Sequence, residues 1–167
     1  MSEIIVIAMQ RDGELRPSSL EAVAAALKVK EAGDQLSTVI IAADPSSIVP
    51  ALSVEGVDEV IAVKSASNDF QPDLIEAVIA ALVEQRKPSL ILTAHGVDAW
   101  SFAPAAAVKN GLGFATDVQS LRREGGELVA TRAGYAEKVL VDIDFPGKST
   151  VLLTIRTNVF EPAAGQG

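Results

Sequence analysis

The chain has 167 residues, a net charge of −8 and an apolar fraction of 49%, which is typical of one globular domain with a sizeable core. The negative charge opposes binding to nucleic acid or to anionic membranes. The sequence has no cysteine, which excludes disulfides, thiol catalysis and zinc or iron–sulfur sites ligated by cysteine.

The first apolar segment is a short run from Ile4 to Ala8. No basic region precedes it, so the pattern predicts a buried first strand and not a signal peptide. No apolar stretch approaches the roughly 20 residues that span a bilayer. Together these features predict a cytoplasmic protein.

Strands and helices alternate through the first two-thirds of the chain. Further apolar runs, typical of strands covered on both faces, lie at residues 38–43, 60–63 and 90–93. Ser18 and Glu21 have the spacing of a capping box at the start of a helix that ends by Gly33. The other predicted helices cover residues 46–53, 72–85 and 99–110. This order predicts an α/β fold in which a parallel sheet carries helices on both faces.

The last third of the chain has a different pattern. From Val118 to Thr157, alternating apolar residues are interrupted by turns at Gly125–Gly126 and Pro146–Gly147. This pattern predicts antiparallel strands that extend one edge of the sheet. We expect residues 1–160 to form one domain and residues 161–167 a linker-like tail.

Neither common phosphate-binding motif is present. The loop after the first strand, Gln10 to Glu14, has one glycine and two acids in place of the dinucleotide fingerprint G-x-G-x-x-G. Gly147-Lys148-Ser149 lacks the earlier glycine of a P-loop and lies in a predicted hairpin turn. The sequence therefore predicts no dinucleotide site.

The segment LILTAHGVDAWSF, residues 90–102, contains the only histidine and the only tryptophan of the chain. His95 follows a predicted strand, so it is either a base at the strand's carboxyl end or a loop residue that faces solvent or a partner. A catalytic role requires an orienting carboxylate and a nucleophile. Asp98 and Ser101 are near in sequence, but no nucleophile elbow surrounds the serine. For Trp100 we favour a packing or interface role.

Metal binding has little support in the sequence. One histidine and scattered carboxylates do not form the usual histidine-rich zinc sites. Asp142 and Asp144 share a strand face, which we interpret as an exposed edge and not as a metal pair. We therefore predict no catalytic, cofactor-binding or metal-ligating residue in this chain.

An ordered series of short motifs resembles the amino-terminal domain of the electron transfer flavoprotein alpha subunit. The series is Ala103-Pro104, Leu112-Gly113, Thr116-Asp117, Thr131-Arg132 with Tyr135, and Thr154-Ile155-Arg156 with Val159-Phe160. The opening segment, Arg11 to Glu21, also resembles the start of the family. The resemblance extends over essentially the whole chain, in order.

The resemblance implies a Rossmann-like fold of the adenine nucleotide hydrolase-like type. It implies a scaffold that pairs with a beta-type subunit and supports a FAD domain, which shuttles electrons from flavin dehydrogenases to an acceptor. In the family that FAD domain follows the Val-Phe signature, so we expect it to lie outside these residues. No cofactor is expected in the isolated chain, which would be an electron-carrier component and not an enzyme.

Two segments depart from the family pattern. Trp100-Ser101 stands where the family commonly has Arg-Asp, and Ala136-Glu137-Lys138 replaces a stretch rich in glycine and asparagine. As candidates for the partner interface we select two aromatic residues and two arginines, Trp100, Arg132, Tyr135 and Arg156.

Two alternatives remain open. One is a stand-alone enzyme on the same fold that binds an adenine nucleotide or another small ligand at the strand ends, near residues 9–13 and 94–100. The other is a homo-oligomer in which the edge strands of the last third pair with themselves.

Overall fold

A computed structural model describes residues 2–165. Residues 166–167 of the predicted tail lie outside this range. The strands are β1 (Glu3–Ala8), β2 (Gln10–Arg11), β3 (Glu14–Leu15), β4 (Gln35–Ala42), β5 (Glu59–Lys64), β6 (Leu90–Ala94), β7 (Gly113–Glu124), β8 (Glu127–Gly134), β9 (Val139–Ile143) and β10 (Val151–Ile155). The helices are α1 (Ser18–Val29), α2 (Val49–Leu52), α3 (Pro72–Arg86) and α4 (Val97–Lys109), with a 3₁₀ turn at Pro45–Ser47.

Eight strands form one sheet in the order β5-β4-β1-β6-β10-β7-β8-β9. Pairing is parallel from β5 to β7 and antiparallel from β7 to β9. This arrangement confirms the predicted Rossmann-like α/β fold with antiparallel edge strands. The short hairpin of β2 and β3 stands apart, directly after β1.

The placement of β10 corrects one prediction. Val151–Ile155 was expected among the antiparallel edge strands, but it lies in the sheet interior, parallel to β6 on one side and to β7 on the other. All five residues are buried. Continuous apolar runs of this kind belong to strands that are covered on both faces. The turn at Gly147 therefore links two separated strands and does not close a hairpin.

The core consists of two layers, one on each face of the sheet. Ile4 and Val6 of β1 pack with α1 on one face, and Ile5 and Ile7 pack with α3 and α4 on the other. Side chains of a strand alternate between faces, so a strand buried on both sides is apolar at every position.

The predicted capping box is wrong. Pro17 occupies the N-cap of α1 without a side-chain hydrogen bond. Glu21 is buried and instead accepts a hydrogen bond from the backbone N–H of Asn158, at 2.5 Å. The Glu21 carboxylate thus binds a distant part of the chain, whereas the local spacing predicted that it would cap the helix start.

The other helices differ from prediction mainly at their ends. The predicted helix at 46–53 is divided into the 3₁₀ turn and α2. The last helix begins at Val97, two residues before the predicted start. Within the described residues, none of these helices has both the length and the apolar character needed to cross a membrane.

A bulge divides β7 into two parts. Between its pairings with β10, β7 contains one extra residue, so that Ala115 pairs with Leu153 and Val118 with Ile155. Residues 118–143, the second part of β7 together with β8 and β9, are called here the antiparallel arm. The base of the arm packs on α1, whereas its outer strand β9 is largely exposed.

Candidate functional site

β6 and β10 end side by side at the carboxyl end of the parallel strands, next to the bulge within β7, and this placement brings together residues that are far apart in sequence. The backbone N–H of His95 donates to the carbonyl of Ile155 at 2.7 Å, and that of Arg156 donates to the carbonyl of Val118 at 2.8 Å. These bonds place His95, Arg156 and the bulge of β7 next to one another. The group of five residues described next, His95, Trp100, Asp117, Thr154 and Arg156, is called the His95 cluster.

Both ring nitrogens of His95 make hydrogen bonds. The indole N–H of Trp100, in the first turn of α4, donates to Nε2 at 3.2 Å. Nδ1 lies 2.8 Å from the hydroxyl of Thr154. Because an indole nitrogen can only donate, Nε2 carries no proton, and the neutral ring holds its proton on Nδ1. The Thr154 oxygen then accepts from Nδ1 and also from the backbone N–H of Asp117, at 3.1 Å.

This geometry differs from that of a nucleophile and its general base. Thr154 is 1% exposed, and its oxygen accepts from His95 instead of giving up a proton to it. The two residues near His95 in sequence are engaged elsewhere. Asp98 forms an ion pair with Arg16 at 3.6 Å, and the Ser101 hydroxyl donates to the carbonyl of Asp98.

Asp117 and Arg156 form a two-pronged ion pair beside His95. Nε and Nη2 of Arg156 donate to the two carboxylate oxygens at 3.0 and 2.7 Å, and Nη1 donates to Glu137 at 2.8 Å. Asp117 has a φ of 58°, a left-handed conformation that aspartate tolerates better than most residues. The hydrogen bonds from Arg156 lower the pKa of Asp117 below its ordinary value of 3.8, and they raise the pKa of Arg156.

The burial and the surroundings of His95 favour its neutral form. Partial burial is the main reason that its pKa falls below 6.5, and the positive charges of Arg132 and Arg156 lower it further. The Asp117 carboxylate, 3.9 Å from Nε2, acts in the opposite direction. Arg156 already neutralises that carboxylate, so the net result is a lowered pKa.

The turn between β8 and β9 lies against this cluster through the bond between Glu137 and Arg156. Tyr135, Ala136 and Glu137 have φ values of 52°, 54° and 65°. Three consecutive left-handed residues other than glycine are costly, because each Cβ crowds the backbone. Tyr135, Ala136 and Glu137 are therefore residues that this backbone disfavours.

The four predicted interface residues divide into two kinds. Trp100 is 58% exposed and Tyr135 is 84% exposed, so both aromatic rings are available to a partner. The two arginines are held within the domain, Arg156 by Asp117 and Arg132 by the hydroxyl of Thr116 at 3.1 Å.

Sequence reasoning missed the shared network of His95, Asp117 and Thr154. Asp117 and Thr154 belong to motifs quoted above for the resemblance, but no spacing rule joins them to His95. Residues 95 and 154 are 59 positions apart in sequence, and only the central position of β10 brings them into contact.

A cleft of about 450 Å³ opens beside the cluster, between the ends of β1 and β6. Its lining includes two arginines, one acid, two hydroxyls and the histidine, namely Arg11, Arg16, Asp98, Ser18, Thr157 and His95. The cleft is the place where open α/β sheets bind ligands, at the carboxyl ends of strands.

The loop after β1 does not fit the pyrophosphate of a dinucleotide such as FAD. Its amide N–H at Gly13 already donates to the side chain of Gln10, at 2.9 Å, and the Gln10 amide donates to the carbonyl of Asn68, at 2.9 Å. A Cβ at Gly13 would lie 3.1 Å from the Asn68 side chain. The loop is closed on Asn68, and its glycine does not form a phosphate cradle. Among residues 2–165, no group of three or more histidine or acidic side chains is arranged to hold a metal ion.

Comparisons with known proteins match the chain to electron transfer flavoproteins. A family model described as "Electron transfer flavoprotein domain" matches residues 4–167. The chain is 51% identical to the electron transfer flavoprotein subunit alpha of Methylophilus methylotrophus, over 100% of this chain and 52% of that protein.

More distant relatives carry the same description. The alpha subunit of Syntrophomonas wolfei subsp. wolfei is 32% identical over 91% of this chain and 47% of its own length. That of Bacillus subtilis is 27% identical over 93% and 48%. The chain spans about half the length of the curated relatives it matches.

Proposed function

The chain belongs to the electron transfer flavoprotein family and is of the alpha-subunit type, and on this premise we propose that it is a partner-binding scaffold domain. It pairs with a beta-type subunit and supports a FAD domain that shuttles electrons from flavin dehydrogenases to an acceptor. The domain itself carries no redox centre, and FAD belongs to the complete complex. The observation that carries this proposal is the 51% identity to an alpha subunit across the entire chain.

The exposed residues at the His95 edge support a role in binding a partner. Val97 is 73% exposed, Trp100 58% and Tyr135 84%. These three apolar residues are called the aromatic surface, after the two rings among them. Tryptophan and tyrosine are enriched among the residues that dominate protein–protein binding energies. The polar groups beneath them are already paired within the domain, so the partner gains apolar contact without leaving charges unpaired.

A binding measurement with matched variants tests this assignment. Trp100→Ala should weaken binding of the beta-type subunit by about tenfold or more, because it removes a central aromatic anchor. Val108→Ala is the control, since Val108 lies on the same helix and is 83% exposed but stands outside the aromatic surface. Isothermal titration calorimetry measures both. If the unaltered chain does not bind the beta-type subunit, the scaffold proposal is wrong.

Flavin content tests the other half of the proposal. The purified chain without a partner should show no flavin absorbance, because the loop after β1 offers no cradle for the pyrophosphate. Stoichiometric FAD in the isolated chain would contradict the proposal.

The cleft favours a second candidate function, binding of an adenine nucleotide or another small anion. Arg11 and Arg16 supply positive charge there, although Asp98 neutralises part of it through its ion pair with Arg16. Thermal unfolding with AMP, ATP and NAD tests this candidate. A ligand present at 100 times its Kd should add about 2.7 kcal/mol to stability, and the absence of any shift would argue against this function.

A further inference from the structure

The hydrogen bond between Trp100 and His95 depends on the protonation state of a single side chain. Nε2 of His95 accepts the indole N–H at 3.2 Å, and the two rings meet edge-on, with centroids 5.6 Å apart and planes at 60°. If Nε2 takes up a proton, two N–H donors face each other, and the bond cannot form. The orientation of Trp100 is therefore coupled to the charge of His95.

The protonated ring has an alternative partner for the same nitrogen. The carboxylate of Asp117 lies 3.9 Å from Nε2, close enough for an ion pair after a small rotation of the ring. The bond from Nδ1 to Thr154 is compatible with both states, because Nδ1 donates in each of them. One ring edge thus stays fixed while Nε2 changes from accepting from Trp100 to donating toward Asp117.

We propose that His95 is a proton-operated latch, which holds the Trp100 indole in one orientation when neutral and releases it when protonated. The latch follows from the described contacts alone. Its consequence for partner binding rests on the proposed function, because Trp100 belongs to the aromatic surface. Lowering the pH would then alter the surface at the centre of the predicted interface.

The charges around His95 influence the pH at which the ring is protonated and Trp100 is released. Asp117 on β7 favours protonation, whereas Arg132 on β8 and Arg156 after β10 oppose it, and Glu137 partly neutralises Arg156. On the cleft side lie Arg11 and the ion pair of Arg16 with Asp98, whose opposite charges largely cancel.

Burial and these charges together lower the pKa of His95. The neutral, latched state therefore predominates at and above about pH 6.5, the ordinary histidine value. Release occurs below that pH, as the pH falls through the lowered pKa.

The fluorescence of the chain reports the latch directly, because Trp100 is the only tryptophan and His95 the only histidine. Tryptophan emission of the native chain should change in a single-proton transition between about pH 8 and about pH 5, with its midpoint below about 6.5. The control is His95→Gln, whose amide oxygen can accept the indole N–H and which does not titrate. This variant should show no transition. An unaltered chain without a transition, or the same transition in His95→Gln, would overturn the latch.

A nuclear magnetic resonance titration of His95 in the unaltered chain keeps the test independent of that variant's folding. At neutral pH the imidazole should be the Nδ1–H tautomer, and an Nε2–H tautomer would overturn the proposal. In Trp100→Phe the neutral form loses its donor, so the midpoint of the His95 titration should rise by about half a pH unit or more. A midpoint unaffected by this change would show that the indole is not coupled to the ring.

Partner binding is a separate measurement. If the latch titrates as described but the beta-type subunit binds equally at about pH 7.5 and about pH 5.5, only the link between the latch and the partner is wrong. If no beta-type subunit binds at either pH, the proposed function fails while the latch stands.

Discussion

In the parallel part of the sheet, β6 and β10 bury all five of their residues, whereas β9 in the antiparallel arm leaves four of its five exposed. The parallel strands depend on aliphatic burial from two covering layers. The outer part of the arm depends instead on cross-strand contacts, in which Arg122 of β7 donates to Thr131 of β8 and Asp142 of β9. The difference indicates that the parallel part contributes most of the stability of the domain, whereas the arm mainly contributes solvent-exposed surface.

The largest effect that separates the two regions should come from the core. Phe102 of α4 is fully buried against the sheet, so Phe102→Ala should lower the free energy of unfolding by about 3–5 kcal/mol. Leu140→Ala in β9 is the matched apolar truncation. Leu140 is 65% exposed, and its loss should change stability by no more than about 0.5 kcal/mol. Urea unfolding measures both, and equal losses would remove the distinction between the regions.

An intermediate effect is expected at the junction of the two regions, where Asp117 pairs with Arg156. Asp117→Asn keeps a residue that tolerates the left-handed backbone but removes the charge, and it should lower the free energy of unfolding by about 1–2 kcal/mol. The variant tests whether the bulge is held by this ion pair.

The pH dependence of this loss has a defined sign. The folded pKa of Asp117 lies below its ordinary value of 3.8, so the carboxylate contributes its full stability above about pH 4. That contribution disappears as the pH falls through the folded pKa. The difference between the two proteins in urea unfolding should therefore shrink in acid, and a difference that grows would contradict the assignment.

The smallest effect concerns the strained turn of the arm. Ala136→Gly should raise the free energy of unfolding by up to about 1 kcal/mol, because glycine adopts the left-handed conformation without crowding. Ala133→Gly, in the neighbouring strand β8, should instead lower it by about 0.5–1 kcal/mol. Thermal unfolding distinguishes the two signs, and a loss of stability in both variants would show that the turn is not strained.

The sequence predicted the parallel strands well, because a short run that is apolar at every position, such as Ile4–Ala8, is typical of a strand covered on both faces. The run Val151–Ile155 obeys the same rule, but the rule was not applied to it. Its place after two antiparallel strands led to the wrong assignment, since order along the chain does not fix order in the sheet. The capping box at Ser18 failed for a related reason, as the backbone of Asn158 competes for Glu21.

The candidate site was only partly predictable. The exposed positions of Trp100 and Tyr135 agree with their selection as interface candidates, and their contribution to binding remains a prediction. The contacts of His95 could not be read from its neighbours in sequence, because its partners Thr154 and Asp117 come from β10 and from the bulge of β7. A bulge depends on sheet register, which local patterns do not specify.

Amide hydrogen exchange of the chain, measured with and without a beta-type subunit, tests the partner-binding surface most directly. Exchange should slow at residues 97–101 and at residues 134–138, which carry the aromatic surface, while β4 and β5 at the opposite end of the sheet keep their rates. A complex that forms without protecting either segment, or that protects β4 and β5 instead, would contradict the placement of the interface at the His95 edge.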